Sequence, residues 1–136
     1  MKKYILGLSR DLERMLILGF SQRHGIVLTD LEFCDSIEEL LELVQLSCLP
    51  ALVVIALESG EEADRVAGLV KAQESASVCV QYSEIPQAGK FIDKHIFALK
   101  DAVSGVLLSL LGHSFAPASL RQDLERHLPS PLARAR

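Results

Sequence analysis

A chain of 136 residues, 49% hydrophobic and with a net charge of −4, holds enough apolar surface for one real core, which excludes a disordered chain. The acidic balance gives no basis for non-specific nucleic-acid binding, and no stretch reaches the ~18 apolar residues of a membrane span. Cys34, Cys48 and Cys79 are widely spaced with no CxxC pair, and His24, His95, His113 and His127 lack ligand spacing. The reading is a reduced, cytoplasmic compartment, thiols that pack as small core residues, and no metal or other cofactor.

The opening MKKYILGLSRDLER returns to charge after a short apolar run, so residues 3–8 read as a first strand rather than a secretory leader. Ser9 caps a helix whose inner stripe is Leu12, Met15, Leu16, Gly19 and Phe20, ending at His24-Gly25. Residues 26–33 form a second strand. Ser36 with Glu39 makes an S-x-x-E capping box, opening a helix that buries Ile37, Leu40, Leu41 and Val44 and stops before Pro50. PALVVIALESG, residues 50–60, carries the apolar run Leu52 to Ala56, as expected of a strand buried on both faces. Ser59 with Glu62 repeats the box for a helix with Ala63, Val66, Ala67 and Val70 inside. Residues 77–82 are a fourth strand.

The rhythm then changes. SEIPQAGK, residues 83–90, is too short for a crossover helix with its loops, which together need ~10–12 residues or more. A fifth strand is expected from Phe91-Ile92 to Lys94. Residues 97–111 carry a helical stripe of Leu99, Ala102, Val103, Val106, Leu107 and Leu110, widened by Leu108 and Leu111. That width fits deep burial or the grip on a partner helix. Gly112 ends this helix. Ser119 with Gln122 caps another, with Leu120, Leu124 and Leu128, and PSPLARAR reads as a frayed end. The alternation predicts a doubly wound, flavodoxin-like α/β fold. Its five-stranded parallel sheet runs 2-1-3-4-5, with the fourth helix short or missing and an extra C-terminal helix.

In such sheets chemistry sits past the carboxyl ends of the strands. That edge is expected to carry Ser9 and Arg10, then Ala56, then Tyr82 and Ser83, then Lys94. On these residues the chain resembles bacterial response-regulator receiver domains over residues 1–111. Where their first strand ends in ILxVDD, this chain has ILGLSR at 5–10. Where theirs reads PDLVLLDxxMP, with the phosphorylated Asp, this chain places Ala56. Tyr82 and Ser83 stand for their Ser/Thr-Ala, and Lys94-His95 for their Lys-Pro.

The resemblance therefore implies a degenerate receiver that keeps Lys94 alone. Phosphoryl transfer to a receiver needs a carboxylate nucleophile and carboxylates around magnesium. Ser9, Arg10 and Ala56 supply neither. Arg10 either pairs with Glu58, mimicking a metal-bridged state, or reaches solvent; Lys94 either keeps a role or is simply solvated. Leu99, Val103, Val106, Leu107, Leu108 and Leu111 are the candidate dimer interface.

LLGHSFAPASLRQDLERHLPS, residues 110–130, resembles the lead-in to the ATPase module of enhancer-binding transcription activators that act with the nitrogen-type sigma factor. Leu110, Gly112, Ser114, Ala116, Leu120, Arg121, Leu124, Arg126, Pro129 and Ser130 keep its register. No G-x-x-x-x-G-K-[ST] loop occurs in the chain. The expected organisation is a receiver-like domain at 1–112 and the start of an ATPase module at 113–136. The expected partners are a second copy, the following ATPase domain and a possible regulatory protein, with no nucleic acid and no membrane. The work is then contact, not catalysis. Two other readings stand beside it. One is a small-molecule or nucleotide sensor at the sheet edge, with Gly7 as its weak support. The other is an enzyme using Cys34, which the neighbouring Asp35, Glu38 and Glu39 disfavour.

Overall fold

The computed structural model describes residues 2–24, 31–85, 89–99, 104–113 and 115–128, with side chains at 20–24 and 117 left out. In chain order the elements are β1 (Lys3–Leu6), α1 (Arg10–His24), β2 (Leu31–Cys34), α2 (Ile37–Ser47), β3 (Leu52–Ile55), α3 (Gly60–Gln73), β4 (Val78–Ser83), β5 (Lys94–Phe97), α4 (Gly105–Gly112), a 3-10 turn (Pro117–Ser119) and α5 (Leu120–His127). All strands are parallel, in the order β2-β1-β3-β4-β5. The fold is the expected doubly wound α/β sheet.

The sheet divides two cores. Ile5, Val54, Val80, Tyr82 and Ile96 face one side, with Leu16, Leu107, Leu110, Leu120 and Leu124 packed on them. Tyr4, Leu6, Val53, Ile55 and Cys79 face the other, against Leu40 and Val44 of α2 and Val66, Ala67 and Val70 of α3. Period-two alternation produces this split. Every residue of β3 and β4 is buried; β3 reads as an unbroken apolar run, while β4 carries Gln81 and Ser83 among its apolar residues.

The capping signals at Ser36 and Ser59 are real, whereas Ser119 caps no helix N–H, because its Oγ donates to Asp123 Oδ2 instead. Ser36 Oγ accepts from the Glu39 N–H at 3.1 Å, and Glu39 Oε2 accepts from the Asp35 N–H. Ser59 Oγ accepts from the Glu62 N–H at 3.3 Å. Each satisfies a helix N–H that has no intrahelical partner. Cys48 closes α2 in the left-handed region, at φ 55°. Of the predicted second strand, residues 26–30 lie outside the described set, as does the Phe20 side chain of the α1 stripe.

Three expectations need correction. The stretch 97–111 is not one helix. Lys94–Phe97 is β5, paired with Val80–Ser83 of β4, and α4 spans only Gly105–Gly112. The apolar spacing of 97–111 suits a helix, but hydrogen bonding to β4 claims its first residue, an override of local propensity by tertiary pairing. Ser104 sets the true start: its Oγ accepts from the Val106 N–H, while its own N–H donates to Tyr82 Oη at 3.2 Å.

Phe91 and Ile92 are not strand either. Asp64 Oδ1 accepts from both of their N–H groups, at 2.6 and 3.2 Å. The Phe91 ring lies over Gly68 of α3, where an added Cβ would come within 3.0 Å of it. The β4–β5 connection thus lies on α3, and its described residues contain no helix.

The third correction is the break expected at 112. Phe115, Leu120 and Leu124 are buried in the same core as the sheet, and Lys3 Nζ donates to the carbonyls of Leu111 and His113 at 2.7 and 2.8 Å. Residues 115–128 complete the domain rather than standing apart from it.

Candidate functional site

The carboxyl edge of the sheet is built by the ends of β1, β3, β4 and β5. Gly7 turns the chain out of β1 at φ +88°, and an added Cβ there would sit 2.9 Å from the Ala56 carbonyl. A glycine is required by both the dihedral and the space. Ala56 follows β3 and donates its N–H to the Leu6 carbonyl at 2.8 Å. Its methyl group offers no nucleophile to this edge.

Ser9 is spent on α1. Its Oγ accepts from the Leu12 N–H at 3.3 Å and its carbonyl from the Glu13 N–H. Arg10 does not pair with Glu58: its guanidinium lies 3.7 Å from Asp35, both groups exposed. Glu58 instead accepts the Glu84 N–H through both carboxylate oxygens, at 3.2 and 3.3 Å. This contact ties the β3 and β4 loops together and turns the carboxylate toward backbone.

Two expected edge residues lie elsewhere. Tyr82 faces the core and anchors α4 through Ser104. Lys94 opens β5 instead of closing it and stands level with Val80, well below the edge. Its ammonium pairs with Glu125 of α5 at 2.8 Å. The fifth strand runs over Lys94–Phe97, three residues later than the expected 91–94, which accounts for that shift.

The next residue, His95, is level with Gln81, and its ring reaches Ser83 at the end of β4. Its Nε2 lies 2.8 Å from Ser83 Oγ, whose hydroxyl is also 2.9 Å from the Ile85 carbonyl. One hydroxyl proton serves one of these contacts. With Ser83 donating to Ile85, the His95 Nε2–H donates to Ser83. The Phe97 ring stacks edge-on at 5.0 Å. Burial pushes the imidazole below its ordinary value, outweighing a Ser83 backbone hydrogen bond and the Glu58 carboxylate, which both favour the charged form. Beside it on β4, Gln81 is fully buried; its Nε2 donates to the Leu57 carbonyl at 3.0 Å, and its Oε1 accepts nothing among the described residues.

Cys34 and Cys79 fit the packing role, whereas Cys48 is exposed at the end of α2 rather than in the core. Burial, then Glu39, Glu32 and Asp35, push Cys34 up to about 12; burial does the same to Cys79. Neither forms a thiolate nucleophile near neutrality. Among the described residues no group of three or more acids, histidines or cysteines is arranged to hold a metal, and no helix is long and apolar enough to cross a membrane. A recess of about 280 Å³ lined by His113, Asp123, Arg126 and His127 lies past the other end of α4, away from Ala56.

The six interface candidates separate. Leu107, Leu108 and Leu111 are core residues, so they are not free for a partner, because α4 packs directly on the sheet. Leu99 and Val106 are about half exposed, and Val103 lies outside the described residues.

No protein-family model matches this chain, and no curated protein does. Among solved structures, the crystal structure of a 3-dehydroquinate dehydratase-like protein from Bifidobacterium longum is similar over 74% of this chain and 87% of its own, with 13% identity and a TM-score of 0.40. A likeness at that level carries no functional argument.

Proposed function

We propose that this chain is a non-catalytic, non-phosphorylatable receiver-like regulatory domain of a transcription activator dependent on the nitrogen-type sigma factor. It acts through self-association and protein contact. One observation carries the reading: a 2-1-3-4-5 sheet presents Ala56 where a receiver's acceptor carboxylate would stand, with Ser9 bound into a helix cap and Arg10 turned to Asp35. Ala56 supplies no acceptor for a phosphoryl group, and Ser9 with Arg10 supplies no acid pair for magnesium. Self-association would draw on Leu99 and Val106, the exposed members of the predicted interface.

Incubation with acetyl phosphate and magnesium is expected to leave the intact mass unchanged. A phosphoryl adduct on any acid of the carboxyl edge overturns the reading. Sedimentation equilibrium adds a second check. A dimer that Leu99→Glu with Val106→Glu converts to monomer supports the contact role, and a monomer at all concentrations removes it.

A second reading, a small-molecule sensor at the same edge, is favoured by one observation. Gln81 Oε1 is a buried acceptor with no partner among the described residues, beside the Ser83–His95 pair, and such a group costs stability until something donates to it. A nucleotide that raises the melting temperature of wild type but not of Gln81→Leu would establish it.

A further inference from the structure

Lys94 is misplaced for a core. It occupies the row Ile5–Val54–Val80 across the sheet, on the face filled by leucines. Its side chain is 5% exposed, while that of its partner Glu125 is 62% exposed. Beside the pairs Lys2–Glu32, Arg10–Asp35, Lys71–Asp93 and Arg121–Asp93, it has the most deeply buried member. The asymmetry matters. Glu125 can return to water at little cost, whereas an ammonium left under α5 without a counter-charge is strongly destabilising.

The element that supplies Glu125 is weakly anchored otherwise. α5 has eight residues and no side-chain cap on its N–H groups, because Ser119 Oγ donates to Asp123 Oδ2 instead. A helix that short does not persist alone in water. It buries Leu120 and Leu124, whereas α3 buries five residues, Val66 and Val70 among them, behind a Ser59 cap. Its remaining ties are mostly exposed or long: Arg121 reaches Asp93 at 3.5 Å and the Ser75 carbonyl at 3.3 Å, and His127 lies 3.4 Å from Ser109 Oγ with its ring beside His113 and Phe115.

We propose that α5 is a releasable strap over the β4–β5 half of the sheet, and that the Lys94–Glu125 pair is its lock. Docked, α5 neutralises Lys94 and covers the apolar row. Released, it opens a surface of leucines and valines with one positive charge at its centre. The lock itself needs nothing from the receiver-like assignment; its use as the output of a regulatory domain rests on that reading. In such a domain the lysine would gate the C-terminal segment rather than bind a phosphoryl group.

Hydrogen exchange on the full chain tests this. Glu125→Gln is expected to raise exchange of the 120–127 amides about tenfold or more, while the Val53 and Val54 amides of β3 stay as protected as in wild type. Adding Lys94→Met, which removes the orphaned charge and keeps the length, is expected to restore the α5 protection. The proposal is overturned if Glu125→Gln leaves 120–127 unchanged, if β3 loses protection to the same degree, or if the double variant exchanges as fast as the single one. The phosphodonor experiment reads the Ala56 edge alone, so either proposal can fail without the other.

Discussion

The two faces of the sheet are held by different means. On the α2/α3 face the helices are capped by Ser36 and Ser59, three residues ahead of a glutamate, and their apolar stripes meet β1, β3 and β4 directly. On the α1/α4/α5 face three polar side chains reach far along the chain: Lys3 to the end of α4, Tyr82 to its start, and Lys94 to α5. The helices of the first face start on local instructions, and Asp64 of α3 adds a distant hold on the Phe91 and Ile92 N–H groups. The second depends on contacts that exist only once distant segments are in place, so it is the face whose docking can be adjusted without unmaking the fold.

Four measurements bear on that contrast. The largest effect is expected from Leu40→Ala on the α2/α3 face. Leu40 is fully buried, and urea unfolding should lose about 2–5 kcal/mol with an unchanged slope. A much smaller loss would mean that this face is loosely packed and the contrast false.

Tyr82→Phe probes the other face. It strips the acceptor from the Ser104 N–H, a buried contact, and should cost about 1–3 kcal/mol, with exchange at the start of α4 rising most. Equal change over the whole chain would show that α4 is not separately anchored. Ser36→Ala should cost about 1 kcal/mol, the ordinary worth of an N-cap, read from the same urea curves.

The smallest effect concerns His95. Its folded pKa lies below the ordinary 6.5, so the unfolded chain binds more protons in the window just under that value. Stability is then complete above about pH 6.5 and falls as pH drops toward the folded pKa. The difference between wild type and His95→Gln should narrow or reverse between pH 7.5 and 5.5. A difference that stays constant with pH would place His95 in a more open setting than Ser83 and Phe97 give it.

The sequence carried the α2/α3 face well, because caps and stripes are written within four residues of each other. Ser36, Ser59, Leu40 and Val70 could be assigned from spacing alone, and the unbroken run in β3 announced its place at the centre of the sheet. Position at the carboxyl edge was legible for Ala56 and Ser9, which adjoin strongly marked strands. It was not legible for Lys94, Tyr82 or His95. Strand β5 has only four residues, and its register comes from β4, not from its own pattern. An apolar stretch such as 97–111 satisfies a helical period whether or not its start is drawn into a ladder. The partners of Asp64, Asp93 and Lys94 lie 14 or more residues away, beyond the reach of any local rule. Ser104 was the readable clue: a serine directly before Gly105-Val106-Leu107-Leu108 marks a helix start at that point.

The clip formed by Lys3 has a temporal consequence. Its ammonium binds carbonyls 108 and 110 positions downstream, so these two contacts of β1 form only after residue 113 has been synthesised. The strand is paired with β2 and β3 long before that, so the clip closes the N-terminal side of the sheet late in synthesis.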